Sequence, residues 1–163
     1  MRHIAFVGLG SNLGDSCTQL RRALADISQL PDTRLLAHSP FYRSAPVGYL
    51  DQPDFVNAVA QLETQLAPDV LLQALLQIEQ HHGRERTFRN APRLLDLDVL
   101  LYGEVQLHQH GLTIPHPQMH LRAFVLRPLL EIAPACLIPG VGSAAQALAA
   151  CQDQQLEQIT DDV

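Results

Sequence analysis

Between Ile4 and Leu101 the apolar residues switch repeatedly between strand and helix spacing, in the order β-α-β-β-α-β. That order limits the fold more than any other feature of the chain. His3 to Leu9 is a short apolar run expected to form a central strand. Gly8 to Asp15 reads as a turn-rich loop leading into a helix, where Leu20, Ala23, Leu24 and Ile27 recur at helical spacing and Pro31 lies just beyond. Thr33 to Tyr42 predicts a second strand, and Ser44 to Pro53 a long loop rich in Pro and Gly. Phe55 to Glu63 alternates. Val56, Ala58, Ala60 and Leu62 fall on one face, and Phe55, Asn57, Val59 and Gln61 on the other. Pro68-Asp69 opens a second helix with Leu71, Leu72, Leu75 and Ile78 as its stripe and Gly83 as its expected C-cap. Leu94 to Leu101 is a further strand.

This order of elements is that of a ferredoxin-like unit. Downstream come a His-containing turn, a helical stretch around Arg122 to Ile132, and an Ala- and Gln-rich tail from Gly140 onward that is expected to be helical. The 163 residues suffice for one domain with a real core, and no repeat or internal boundary is visible, so a single domain over 1–163 is expected. No apolar run approaches the ~20 residues of a membrane span, and the N-terminus lacks a signal-peptide pattern. Cys17, Cys136 and Cys151 are widely spaced and odd in number, which suggests a cytoplasmic address. The formal charge of −6 argues against a nucleic-acid binder. All 11 basic residues are arginine, so P-loop and Schiff-base lysines are excluded. Phosphate, if handled, is handled by arginine forks, backbone amides and metal.

Arg93-Leu94-Leu95-Asp96-Leu97-Asp98-Val99-Leu100-Leu101 puts two carboxylates into a strand that should be buried. Alternation places Asp96 and Asp98 on one face, with Cα atoms roughly 6.5–7 Å apart. Two like charges there repel unless solvated or neutralised by a cation, and oxygen ligands suit Mg²⁺. On this stretch alone, a solvated strand face and a metal clamp are both open. Arg84, Arg86, Arg89 and Arg93 tip the balance, because a cationic loop beside a carboxylate pair suits an ATP site. In Thr113-Ile114-Pro115-His116-Pro117 a histidine is held between prolines in an extended turn, and with Arg122 it is a candidate phosphate ligand. Phe55 and Asn57 share a strand face, and with Phe124 could sandwich and read a flat heterocycle; core packing is the plainer explanation of the two rings. The glycine loop misses the G-x-G-x-x-G spacing of a dinucleotide site by one residue at Gly14. His81-His82 fits a helix C-terminus through the dipole alone, and His108, His110 and His120 read as surface residues.

Taken together, Arg89-Asn90-Ala91-Pro92-Arg93-Leu94-Leu95-Asp96-Leu97-Asp98-Val99-Leu100, Gly8-Leu9-Gly10-Ser11-Asn12-Leu13-Gly14-Asp15, Phe41-Tyr42-Arg43-Ser44-Ala45-Pro46, Asp51-Gln52-Pro53-Asp54-Phe55-Val56-Asn57-Ala58, Gly83-Arg84-Glu85-Arg86 and Ile114-Pro115-His116 carry a resemblance. The chain resembles the 6-hydroxymethyl-7,8-dihydropterin pyrophosphokinase family from about Ile4 to Pro134. The resemblance implies an α+β fold: three layers, α/β/α, on an antiparallel sheet of ferredoxin-like character, in a monomer. It implies transfer of pyrophosphate from ATP to the pterin hydroxymethyl group, with two Mg²⁺ ions on Asp96 and Asp98. Catalysis would then rest on Arg84, Arg93, Asp96 and Asp98. ATP would meet Glu79, Arg84, Arg86, Arg93, Val99, Thr113, His116 and Arg122. The pterin would meet Ser44, Ala45, Val47, Phe55, Asn57, Asp96 and Phe124. Thr87, Asn90, Gly111 and Pro117 depart from residues common among relatives. Small-molecule substrates, and neither nucleic acid nor membrane, are the expected partners. Another Mg²⁺-dependent nucleotidyl or phosphoryl transferase and a non-catalytic ferredoxin-like binding module are the alternatives.

Overall fold

The computed structural model describes residues 2–12, 15–45, 54–82, 95–109 and 111–159. Its strands are β1 (His3–Ser11), β2 (Thr33–His38), β3 (Phe41–Ser44), β4 (Phe55–Thr64), β5 (Asp96–Tyr102), β6 (Leu107–Gln109), β7 (Leu112–Ile114), β8 (Leu137–Ile138), β9 (Gly142–Ser143) and β10 (Leu156–Ile159). The helices are α1 (Ser16–Ser28), α2 (Pro68–His81), α3 (Ala123–Ile132) and α4 (Ala144–Ala149). The main sheet runs β10-β3-β4-β1-β5, with β2 also on β4, and every pairing is antiparallel. Because β2 and β3 share one edge of β4, they act as one interrupted strand. Counted so, the strand order is second, third, first, fourth, which is the ferredoxin-like arrangement expected from the sequence.

Alternation along the strands builds two cores. Ala5, Val7 and Leu9 of β1, Val56, Ala58, Ala60 and Leu62 of β4, and Leu97 and Val99 of β5 meet α1 and α2 on one side. On the other side Phe6, Val59, Leu100 and Leu101 meet α3 and Ala144 of α4. A register shift at Phe6/Val7 is what brings both Leu100 and Leu101 to that second core. Three layers result, α/β/α, as the resemblance implies.

Three sequence expectations change. The strand predicted over Thr33 to Tyr42 breaks at Ser39-Pro40, because Pro40 has no N–H for the ladder. Ser39 covers the gap: its N–H donates to Val59 O at 2.9 Å, and its Oγ accepts from Val59 N at 3.0 Å. The glycine stretch is not a loop throughout, since β1 continues to Ser11 and takes in Gly8 and Gly10. The tail is helical only over Ala144–Ala149; β10 then returns to the sheet edge, pairing Leu156 with Ser44 and Ile159 with Phe41. Only Leu156 and Ile159 are apolar in that strand, so an exposed edge reads as polar tail.

His82 also departs from expectation. It is the C-cap of α2, but its side chain is 1% exposed. Its Nδ1 lies 2.8 Å from Gln19 Oε1 and its Nε2 lies 2.9 Å from Asp26 Oδ2, so it ties α2 to α1. The expected C-cap Gly83 lies outside the described residues. His82→Leu is expected to cost about 0.5–1.5 kcal/mol, the net range for a lost hydrogen bond, because the Gln19 and Asp26 groups it leaves can rehydrate. Urea unfolding measures this, and an unchanged midpoint would contradict the tie.

Candidate active site

The register of the sheet assembles the site. Asp96 stands opposite Gly10 and Asp98 opposite Gly8, while across β1 Gly10 faces Asn57 and Gly8 faces Val59. Paired residues project to the same face, so Asp96, Asp98 and Asn57 share the α3 side of the sheet. Both aspartates are half-buried, whereas Asn57 is buried. The two glycines leave the floor between them without side chains. A Cβ on Gly10 would come to 3.2 Å from Asn57 Oδ1. The same face therefore turns from apolar at Leu100 to acidic and amide-lined at the other end of β5.

The carboxamide of Asn57 is fixed by a buried hydrogen bond from Nδ2 to Ser44 Oγ, 2.8 Å. Phe55 precedes it by two residues on the same face and pairs with Ser44. Phe124 sits in the first turn of α3, packed against the second core, with the Arg122 guanidinium 5.5 Å from its ring centroid. Ala45, just past β3, is exposed. Asn57, Ser44 and Phe55 are thus brought together on one patch, and Phe124 lies on the helix that covers this face.

His116 joins from the segment after β7. Its N–H donates to Leu100 O at 3.0 Å, which holds it beside β5. Burial and the Arg122 charge push its ring from an ordinary 6.5 down to about 4, against the opposing pull of Asp96. His116 therefore lies within electrostatic reach of both Arg122 and Asp96. The Gln118 N–H donates to His116 Nδ1 at 3.1 Å, so at neutral pH the ring proton sits on Nε2 as a donor. A ring with a lowered value resists protonation that the unfolded chain accepts. Its share of stability is therefore complete above pH 6.5 and is lost as pH falls from 6.5 toward 4. An NMR titration of the His116 ring in the free protein should show a midpoint near 4. A midpoint at the ordinary 6.5 would contradict the burial.

Other expected positions are relocated. Glu79 is 1% exposed, and its Oε2 accepts the Leu97 N–H at 2.6 Å. β5 lies at the end of the sheet, so alternate amides point away from β1 and need an acceptor. Glu79 supplies it between the two aspartates, which makes it a support of the acidic strand. The Val99 side chain faces α2 in the first core, opposite to Asp98, so it presents only backbone to a ligand on the acidic face. Thr113 is half-buried in the middle of β7, paired with His108. Gly111 and Pro117 flank this segment. Val47, Arg84, Arg86 and Arg93, with Thr87 and Asn90, lie outside the described residues.

The donor set fits Mg²⁺. Two carboxylates on one strand face, opposite Gly8 and Gly10, are hard oxygen ligands. Among the described residues no group of three or more His, Cys, Asp or Glu is arranged to hold an ion. A two-carboxylate site suits an ion that keeps waters and takes its other ligands from phosphate.

The chain matches the family model of 7,8-dihydro-6-hydroxymethylpterin-pyrophosphokinase (HPPK) over residues 6–134. The 2-amino-4-hydroxy-6-hydroxymethyldihydropteridine pyrophosphokinase of Pseudomonas aeruginosa is 48% identical over 154 residues, covering 94% of this chain and 95% of that protein. The chain belongs to the HPPK family. The enzyme of the same name from Haemophilus influenzae is 51% identical over 135 residues, 83% of this chain and 84% of its own. The folic acid synthesis protein fol1 of Schizosaccharomyces pombe matches 83% of this chain at 42% identity, but only 19% of its own length. In fold, a solved Plasmodium falciparum HPPK-DHPS chain superposes with a TM-score of 0.73 at 12% identity, over 92% of this chain and 43% of that one. This chain thus spans less than half the length of the solved chains it matches. Every site residue described above falls inside the HPPK match. Sequence reasoning missed Gly8 and Gly10 as the site floor; their alternate spacing within an apolar run was the available signal.

Proposed function

We propose that this chain transfers the β,γ-diphosphoryl group of ATP to the hydroxymethyl oxygen of 6-hydroxymethyl-7,8-dihydropterin and releases AMP, in folate synthesis. The observation that carries this reading is the shared sheet face. Asp96 and Asp98 stand in line with Asn57 across the two glycines of β1, and His116 feels the charges of both Arg122 and Asp96. The family membership supplies the second substrate.

In this reading Asn57, locked by Ser44, hydrogen-bonds the pterin edge, helped by backbone near Ala45 and Val47. Phe55 and Phe124 hold the faces of its ring. His116 donates from Nε2 to a phosphate oxygen, and Arg122 adds charge. Arg84, Arg86 and Arg93 contact phosphates, with Arg84 and Arg93 serving the transfer step. Asp96 and Asp98 hold two Mg²⁺ ions, which supply charge neutralisation on the phosphates. The hydroxymethyl oxygen attacks the β-phosphorus in line, and the bond from that phosphorus to the α-phosphate oxygen breaks. The electron pair leaves with AMP, and the hydroxyl proton passes to the medium. Positioning and electrostatics carry the catalysis, with no protein nucleophile.

The same proposal takes residues 1–163 as one pyrophosphokinase domain, acting as a monomer in the cytoplasm without nucleic-acid or membrane partners. The free thiols of Cys17, Cys136 and Cys151 suit a reducing compartment. No helix among the described residues is long and apolar enough to cross a membrane. With ATP and Mg²⁺, nucleotide turnover is expected only when the pterin is present, and should stop on addition of EDTA. ATP consumption indifferent to the pterin, or full turnover in EDTA, would overturn the reading.

A further inference from the structure

Arg122 occupies a position where a helix normally needs help. It is the N-cap of α3, in extended backbone at φ −123° and ψ 109°, and its side chain makes no cap hydrogen bond. The first amides of a helix have no partner within it. A Ser, Thr, Asp or Asn at the N-cap would satisfy one of them. Here the N-cap side chain is engaged elsewhere, over the Phe124 ring.

The cap comes from the C-terminal tail. The Ala123 N–H donates to Gln154 Oε1 at 2.9 Å, and Gln154 Nε2 donates to Leu121 O at 2.8 Å. One carboxamide thus grips the backbone on both sides of Arg122. Its two bonds are of opposite sense, so only an amide satisfies both. Gln154 itself is placed by the turn that follows α4: its N–H donates to Cys151 O at 3.0 Å, and Cys151 is buried in the second core. Gln154 lies beyond residues 6–134, outside the HPPK match.

We propose that Gln154 is a positioning residue for Arg122, so that the tail sets how well the chain holds the triphosphate of ATP. This rests on the functional reading above, in which Arg122 meets the phosphates. Gln154 touches neither substrate. It acts by fixing the peptides from which the Arg122 side chain departs, and with them the approach of the guanidinium to His116 and the phosphates. A carboxamide that only tethered the tail would affect stability and leave nucleotide affinity alone.

The test is a double-mutant cycle of Gln154→Met with Arg122→Ala in the full chain, read by KM for ATP, KM for the pterin and the Arg122 side-chain NMR resonances. Met keeps the length of the side chain and removes both hydrogen bonds. In the otherwise unchanged protein, KM for ATP is expected to rise about fivefold, the size of one lost cap. KM for the pterin should stay within about twofold, and the upfield ring shift that Phe124 gives Arg122 should shrink. In the Arg122→Ala background, Gln154→Met should change KM for ATP by less than about twofold, because the two residues act as a unit. Equal fold-changes in both backgrounds would overturn the proposal, as would an unmoved Arg122 resonance. Failure of the functional reading is separable: wild-type protein would then release no AMP, yet the Arg122 ring shift would still depend on Gln154.

Discussion

Asp98→Ala is expected to lower turnover by at least about 10³-fold, the scale of losing a metal-borne electrostatic contribution in a phosphoryl transfer. The fold should survive. Asp98 is held opposite Gly8 by the backbone ladder, and its half-buried side chain belongs to neither apolar core. Stability to urea should therefore stay within about 1 kcal/mol of wild type, as for substitutions away from core and caps. Steady-state kinetics beside an unfolding curve checks both halves. A folded Asp98→Ala protein with near-normal turnover would remove the metal role from this strand. An unfolded one would mean that the pair is structural.

Asn57→Leu should raise KM for the pterin by about 10²-fold and leave KM for ATP within about threefold. Leu matches the size of Asn but cannot hydrogen-bond. A pterin edge facing it would be buried with unpaired polar groups, which costs about 1–3 kcal/mol for each group orphaned. The Ser44 hydroxyl would lose its partner at 2.8 Å at the same time. Discrimination built on such pairing is strong because the wrong partner leaves polar atoms unsatisfied. Equal rises for both substrates would show that Leu had distorted the sheet, and an unchanged pterin KM would place the ring elsewhere.

Much of this arrangement was legible in the sequence because strand alternation is strict. Phe55 and Asn57 on one face, and Asp96 with Asp98 on one face, follow from a period of two, and the register then puts the two sets side by side. The ferredoxin-like order followed from the sequence of periods. What stayed hidden depends on contacts between residues far apart in the chain. Glu79 reads through the resemblance as an ATP contact, and nothing in the local pattern shows that its Oε2 also caps the edge of β5 at Leu97, 18 residues on. His82 reads as a dipole-stabilised helix end, yet Gln19 and Asp26 of α1 enclose it. The β10 strand has too few apolar residues for alternation to show, and Gln154 has no local pattern at all. Gly8 and Gly10 look like a loop because glycine usually marks one. Here they stay in the strand, where a Cβ at Gly10 would crowd Asn57 and one at Gly8 would touch Leu100.

Labelled ATP tests the central claim most directly. Protein, Mg²⁺ and 6-hydroxymethyl-7,8-dihydropterin are incubated with ATP carrying label on the β- or the γ-phosphorus in parallel, and nucleotides and pterin are then resolved. Diphosphoryl transfer predicts that both labels appear on the pterin in equal yield, with one unlabelled AMP per pterin product. Label on the pterin from the γ-phosphorus alone, with ADP as the nucleotide product, would contradict it, and so would release of both labels as free pyrophosphate.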